Sequence, residues 1–416
     1  MIRLAAALTL AALLATGCAT RRGPATGEAT ADTATLAGRT AVLGALERAV
    51  REQHVDPLFA SDRFPAALER AQAPLLAAGD AATFQSRLQA FVAGFGDPHF
   101  ALLPPGADEA GLEVPGPGLL GASGREVEGR LFVADLHEGG PAAAAGLRRG
   151  DEVVATDGGP PRLDPLPAGP ATRRLLVRRA PEEEPSALDI TLAPGGARAA
   201  AVAATRASTG TLTAGSCRVG RIHLRTFADR DLVDDLTTAD TFEETDGLVL
   251  DLRGNDGGEL RLAGELLDLL TRAPSVQIRW RGRSYPFPST SWNRPLVLIV
   301  DGSTRSAAEV FAAAVQARRL GVVLGEPTAG QVRGSRLAPL PDGSRLLLPV
   351  SDILLPDGEP LEGRGVGPDL LVTRPLAWSA DADPPWDSAL QALISRMACP
   401  EHLPADPFGS ARPGVP

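Results

Sequence analysis

Ser306 opens the tetrapeptide SAAE where an apolar run, Leu296 to Val300, passes through Asp301-Gly302-Ser303-Thr304 into an alanine-rich helical pattern. A serine at such a strand–turn–helix junction lies among unpaired backbone N–H groups, at the end of a helix that carries roughly +0.5 charge. Those donors suit an oxyanion, and the hydroxyl becomes a nucleophile once a positioned base removes its proton. The same four residues spell a capping box, with Ser306 at N-cap and Glu309 at N3, so a purely structural use stays open. A second cradle lies upstream. The buried run Gly247 to Leu252 ends in Arg253-Gly254-Asn255-Asp256-Gly257-Gly258, ahead of an amphipathic stretch, Leu260 to Leu270. Strand, glycine-rich turn and helix together aim N–H groups at an anion, although a plain tight turn has the same composition. The spacing matches neither a dinucleotide fingerprint nor a phosphate loop.

What could move the proton is limited by an absence: all 41 basic residues are arginine and none is lysine. A lysine base, a Schiff base and a Walker-type loop are therefore excluded. Proton transfer near neutral pH falls to His54, His99, His137, His223 or His402. His99 sits in Asp97-Pro98-His99-Phe100, an extended or turn segment after a helix end, because the residue before proline disfavours helix. Cys217 and Cys399 lie 182 positions apart (399 − 217), which is no metal spacing; in an oxidising compartment they either pair or stay as buried thiols. No metal and no cofactor is expected. The formal charge of −10 and 4% aromatic content argue against nucleic-acid binding by phosphate contact or base stacking.

These residues need elements to hold them, and 416 residues exceed one ordinary core. Residues 1–17, with Arg3 and an apolar core from Leu4 to Ala15, form a signal peptide too short for a stable span. Leu14-Ala15-Thr16-Gly17-Cys18 resembles a bacterial lipobox, which implies lipidation of Cys18 and an anchored, exported protein; Ala19 offers no inner-membrane retention signal, which favours the outer membrane and periplasm. Residues 18–37 read as a disordered tether. Residues 38–109 form a helical domain, with stripes at Val42, Leu43, Leu46, Val50 and at Phe84, Leu88, Phe91, Val92, Phe95, broken at Gly79-Asp80. Residues 110–195 change character, and GPAAAAGLRRGDEVVATDG (140–158) resembles a PDZ domain. That resemblance implies a groove that adds a peptide as an extra strand, with the loop Gly118, Leu119, Leu120, Gly121 holding its terminal carboxylate. The proline-rich Pro160 to Pro170 departs from a regular PDZ. Residues 196–399 alternate strands and helices and end in a helix near Trp386 to Arg396; residues 400–416 are a loose tail.

Five ordered features, DPHF, the PDZ-like insert, VLDLRGNDGG, DGSTRSAAEVFAAAV…VVLGEPTAG and LEGRGVGPDLLV, resemble the carboxyl-terminal processing peptidase and tricorn-core family of serine peptidases. The resemblance covers about Gly38 to Ile394. It implies an α/β fold with a twisted, crotonase-like (ClpP/crotonase-type) core, an N-terminal helical domain and the PDZ-like insert. In the processing branch a lysine follows GE-x-T-x-G; here that position is Gln331, so the resemblance points to the tricorn-like serine–histidine branch. Carried over by motif, Ser306 is the nucleophile, His99 the base and Glu362 the supporting acid, with the N–H groups of Ala307, Gly257 and Gly258 as oxyanion hole. The implied activity is hydrolysis of peptide bonds through an acyl-enzyme, on polypeptides whose unstructured C-termini the insert holds. The alternative is an inactive peptidase-fold lipoprotein that binds protein C-termini as a scaffold. The sequence carries no reading of oligomeric state.

Overall fold

The computed structural model describes residues 31–106, 119–163, 171–238, 244–271, 277–280, 283–286, 292, 294–379 and 382–397. The leader, Cys18, Gly118, residues 164–170, Cys399 and the tail lie outside the described residues. The chain divides into two compact units, residues 1–107 with 335–349, and residues 108–334 with 350–416.

In the first unit the apolar stripes become helices Leu36–Gln53, Phe64–Leu76 and Ala81–Ala93. Thr35 caps the first by accepting from Gly38 N–H at 3.1 Å. Asp80 caps the third through Thr83 N–H at 2.7 Å, which is why the pattern breaks at Gly79-Asp80. Phe59, Phe64, Phe91, Phe95 and Phe100 meet at centroid separations of 5.2–6.0 Å, within the range where edge-on and tilted aromatic pairs add to burial. His54 stacks on Phe59 in that cluster, at 4.2 Å. Ala101–Leu103 closes a three-stranded antiparallel sheet with Arg345–Ser351 and Gly334–Pro339. The hairpin of Gly334–Pro339 and Arg345–Ser351, far along the chain, thus completes the sheet of the N-terminal unit.

In the second unit the insert is a five-stranded antiparallel meander, Ala122–Val127, Arg130–Leu136, Glu152–Thr156, Thr172–Arg178 and Ser186–Thr191, with a short helix Pro141–Ala144. Leu120, Val133, Leu147, Val153, Leu175 and Ile190 fill its core. The remaining sheet has six strands in the order 370–371, 322–325, 296–300, 247–251, 217–223, 210–214; all neighbours are parallel except the last pair.

Both faces of this sheet are covered, which is why Leu296–Val300 and Gly247–Asp251 read as unbroken apolar runs. Leu248, Leu250, Leu296, Leu298 and Val300 pack with Leu266 and Phe311 of helices Leu260–Leu270 and Ala307–Ala317. Val249, Val297 and Ile299 pack on the other face with Ala389 and Leu393 of helix Pro384–Ile394. The crotonase-like (ClpP/crotonase-type) core implied by the resemblance is corrected here. The strands form one open, mostly parallel sheet with helices on each face, joined to helical and PDZ-like parts. Cys217, at the start of its strand, is disulfide-bonded.

Candidate active site

Parallel strands 247–251 and 296–300 are neighbours in the sheet, so the turns that leave their C-terminal ends arrive side by side. Thr304 Oγ1 donates to Leu252 O at 2.9 Å, and Arg305 N–H donates to Asn255 O at 3.0 Å, stitching one turn to the other. A third segment, 328–332, is held by Ala329 N–H to Thr304 O at 3.1 Å and by Ser306 N–H to Gln331 O at 2.8 Å.

Pinned this way, Ser306 takes φ +53° and ψ −124° immediately before helix Ala307–Ala317. A non-glycine residue in that region costs on the order of 1–3 kcal/mol and persists only where its surroundings over-determine it. Gly257, φ +94°, lies against it: a Cβ there would stand 2.7 Å from Ser306 Cβ and 2.9 Å from Ala307 N, so only glycine admits this approach. The Gly257 N–H is taken by Asn255 Oδ1 at 2.8 Å, while Asn255 Nδ2 donates to Leu224 O at 2.8 Å.

Glu309, fully buried, does more than cap. One carboxylate oxygen accepts from the Thr328 hydroxyl and from Gly330 N–H at 2.7 Å. The other accepts from Gln331 N–H at 2.8 Å and Ser306 N–H at 3.2 Å. Thr328 in turn accepts from Val366 N–H at 2.7 Å. The helix start and the 328–331 segment are therefore fixed to one carboxylate. Glu362 Oε2 accepts from Val332 N–H at 2.7 Å, one residue beyond Gln331. Gln331 Oε1 is buried without a hydrogen-bond partner among the described residues.

The charged surroundings lie at the same strand ends. Burial opposes ionisation of Asp251, yet the Arg253 guanidinium and His223 hold its carboxyl well below the usual range. Burial pushes the Asp301 carboxyl up, against the stabilising N–H of Ser303.

The structure thus brings together Ser306, Ala307 and Gly257, and ties Glu362 to the adjoining segment. Gly258 follows, with its carbon against the Phe227 backbone. His99 belongs to the N-terminal unit, where its N–H donates to Asp97 Oδ1 at 2.8 Å and its Nδ1 lies 3.7 Å from the same oxygen. In the insert, Leu119 pairs with Ala193 and the Leu120 side chain is in the core, while Gly121 has φ +73°. Asn255 and the wider grip of Glu309 were not legible as site elements; SAAE signalled a cap and nothing in it signalled bonds to residues 19 to 22 positions on. Among the described residues no group of three or more His, Cys, Asp or Glu is arranged to hold a metal ion.

The description "Peptidase family S41" matches residues 218–372. A carboxyl-terminal-processing protease of Synechocystis is 29% identical over 157 residues, 36% of this chain and 37% of the relative. The carboxy-terminal processing protease CtpB of Bacillus subtilis is 26% identical over 276 residues, 63% of this chain and 56% of its own. The chain therefore spans about a third to a half of the length of these two curated relatives. Among solved structures, a photosystem II D1 C-terminal processing protease superposes with TM-score 0.55 at 22% identity, over 80% of this chain and 93% of its own. That likeness shows the fold, and it replaces the crotonase-like label. Processing peptidases of family S41 use a serine–lysine dyad, which overturns the serine–histidine mechanism expected through His99. This chain has no lysine to supply that dyad.

Proposed function

This chain belongs to the carboxyl-terminal processing peptidase and tricorn-core family of serine peptidases, family S41, and from that premise we propose that it is an exported serine endopeptidase acting through Ser306. The observation that carries the reading is the backbone of Ser306, held at φ +53° and ψ −124° at a helix start. Strain of this kind, over-determined by bonds from three segments, is what a sharp nucleophile turn requires. The hydroxyl oxygen would attack the scissile carbonyl, forming an ester to Ser306 and expelling the amine; water would then hydrolyse the ester. The N–H groups of Ala307 and Gly258 would hold the oxyanion, the Gly257 N–H being held by Asn255 Oδ1, and each donor would contribute about 3–4 kcal/mol. Glu362 would support the segment carrying residue 331.

Substrates would be polypeptides whose C-terminal ends dock on the insert. Strand Ala122–Val127 stands first in the strand order of the meander and begins directly after Gly121, an arrangement that suits strand addition. The lipobox-like LATGC supports a lipid anchor on Cys18 at the outer membrane or periplasm; incorporation of labelled fatty acid, absent in Cys18→Ala, checks it.

One observation favours a second reading. Gln331 is neutral and cannot take the serine proton, so the chain could bind C-termini without turnover. A fluorophosphonate probe separates the two. Labelling of the wild type that is lost in Ser306→Ala establishes the enzyme. A folded wild type that stays unlabelled, beside a Gln331→Lys variant that labels, establishes the binding scaffold. Labelling that survives Ser306→Ala refutes the assignment of the nucleophile.

A further inference from the structure

The insert meets the core at a cluster of charges around a cavity of about 310 Å3, and His223 is at its centre. The residue ends strand Cys217–His223 and is buried. Its Nδ1 lies 2.6 Å from Glu138 Oε1, two residues past strand Arg130–Leu136 of the insert. Its Nε2 lies 2.8 Å from the Arg253 carbonyl oxygen, at the entry to the glycine-rich turn beside Ser306. A carbonyl oxygen and a carboxylate can only accept, so both ring nitrogens donate, and the ring that satisfies both is the imidazolium. Glu138 is ionised: burial raises its pKa, but the bond to His223 and the charges of His223 and Arg225 outweigh that and leave it at about 2.

We propose that His223 is a protonation-dependent positioning residue, which as an imidazolium ties the PDZ-like insert to the glycine-rich turn beside Ser306 and lets go of one side when it loses its proton. The neighbouring charges are accounted for from every side. Asp251 Oδ1, on the adjacent strand, lies 3.9 Å from Nε2. Arg225, which follows the same strand, is spent on Asp135, Glu138 and the Leu136 carbonyl of the insert. Arg253, on the turn, is spent on Asp251 and Asp383. Each of the two carboxylates facing the ring also holds an arginine, and Arg149, Arg221, Arg374 and Asp383 line the same cavity. Burial by itself lowers the pKa of His223; the charge of Asp251, helped by Glu138 and opposed by Arg225, reverses this, and the net direction is upward from 6.5.

The sign follows from linkage. A group whose folded pKa is raised contributes its full stabilisation below the unfolded value and loses it as pH rises through the folded value. The tie is complete in mild acid and loosens in alkali. Between 6.5 and the folded pKa, opening of the junction grows about tenfold per pH unit, one proton being released per opening. The proposal does not depend on turnover at Ser306.

The test uses the full chain with labelled histidine, the His223 resonance being identified by its absence in His223→Gln or, should that variant not fold, by its displacement in Glu138→Gln. The expected result is a His223 titration above 6.5, lowered in Glu138→Gln. Hydrogen-exchange protection of amides 253–258, corrected for intrinsic rates, should fall about tenfold per pH unit across that window in the wild type. It should be flat with pH in His223→Gln. A His223 that titrates at or below 6.5, or wild-type protection of 253–258 that does not change with pH, overturns the proposal.

Discussion

Replacing Glu309 by glutamine changes one oxygen into an NH2 and almost nothing in shape, so its cost isolates the hydrogen bonds. As glutamate the side chain accepts from Thr328, Gly330, Gln331 and Ser306, two donors on each oxygen. The amide can satisfy only one of those pairs. If its NH2 faces Gln331 and Ser306, the Gln331 N–H is left against a donor, while the Ser306 N–H keeps its bond to Gln331 O. If it faces Thr328 and Gly330, the hydroxyl can rotate but the Gly330 N–H cannot. A buried donor left unsatisfied costs about 1–3 kcal/mol, and either orientation leaves one, so the expectation is about 2 kcal/mol. Urea unfolding followed by tryptophan fluorescence measures it. A Glu309→Gln variant within about 0.5 kcal/mol of wild type, the usual range for inconsequential surface changes, would refute the reasoning that this carboxylate clamps the helix start to the 328–331 segment.

Two further outcomes follow from the same structure. Leu298→Ala empties a fully buried position in the central strand and should cost about 2–5 kcal/mol in the same unfolding assay; a loss under about 1 kcal/mol would mean the sheet face is not packed as described. Ser306→Gly should raise stability by about 0.5–1 kcal/mol while abolishing probe labelling, because glycine adopts φ +53° without a Cβ penalty; a less stable variant would argue that Ser306 is unstrained.

Much of the core could be read from residue types because both faces of its sheet are covered. Leu296–Val300 and Gly247–Asp251 announce themselves as buried strands, and each is followed by turn residues and an amphipathic helix. Asp80 announced its helix start for a local reason too, since its side chain bonds a backbone group three residues away. What escaped was non-local. Glu309 reaches 22 positions to Gln331 N–H, and the sheet of the N-terminal unit borrows its hairpin from beyond residue 334; no spacing in the chain encodes either. The crotonase-like label and the serine–histidine pairing came from resemblance rather than from residues, and both were corrected. The lysine-free composition, by contrast, was legible from the start, and it leaves this chain without the side chain of a serine–lysine dyad.

The borrowed hairpin has a consequence for how the protein is made. Ala101 pairs with Leu347, a separation of 246 positions (347 − 101), so the first unit cannot close its sheet until nearly the whole chain has been synthesised. Closing so long a loop precedes any reward from the contact, which slows folding and favours waiting intermediates with an open strand edge. A nascent chain of this design reaches the end of translation with its earliest segment still unfinished. That delay makes residues 101–103 the place where a truncated product would look for another strand to pair with.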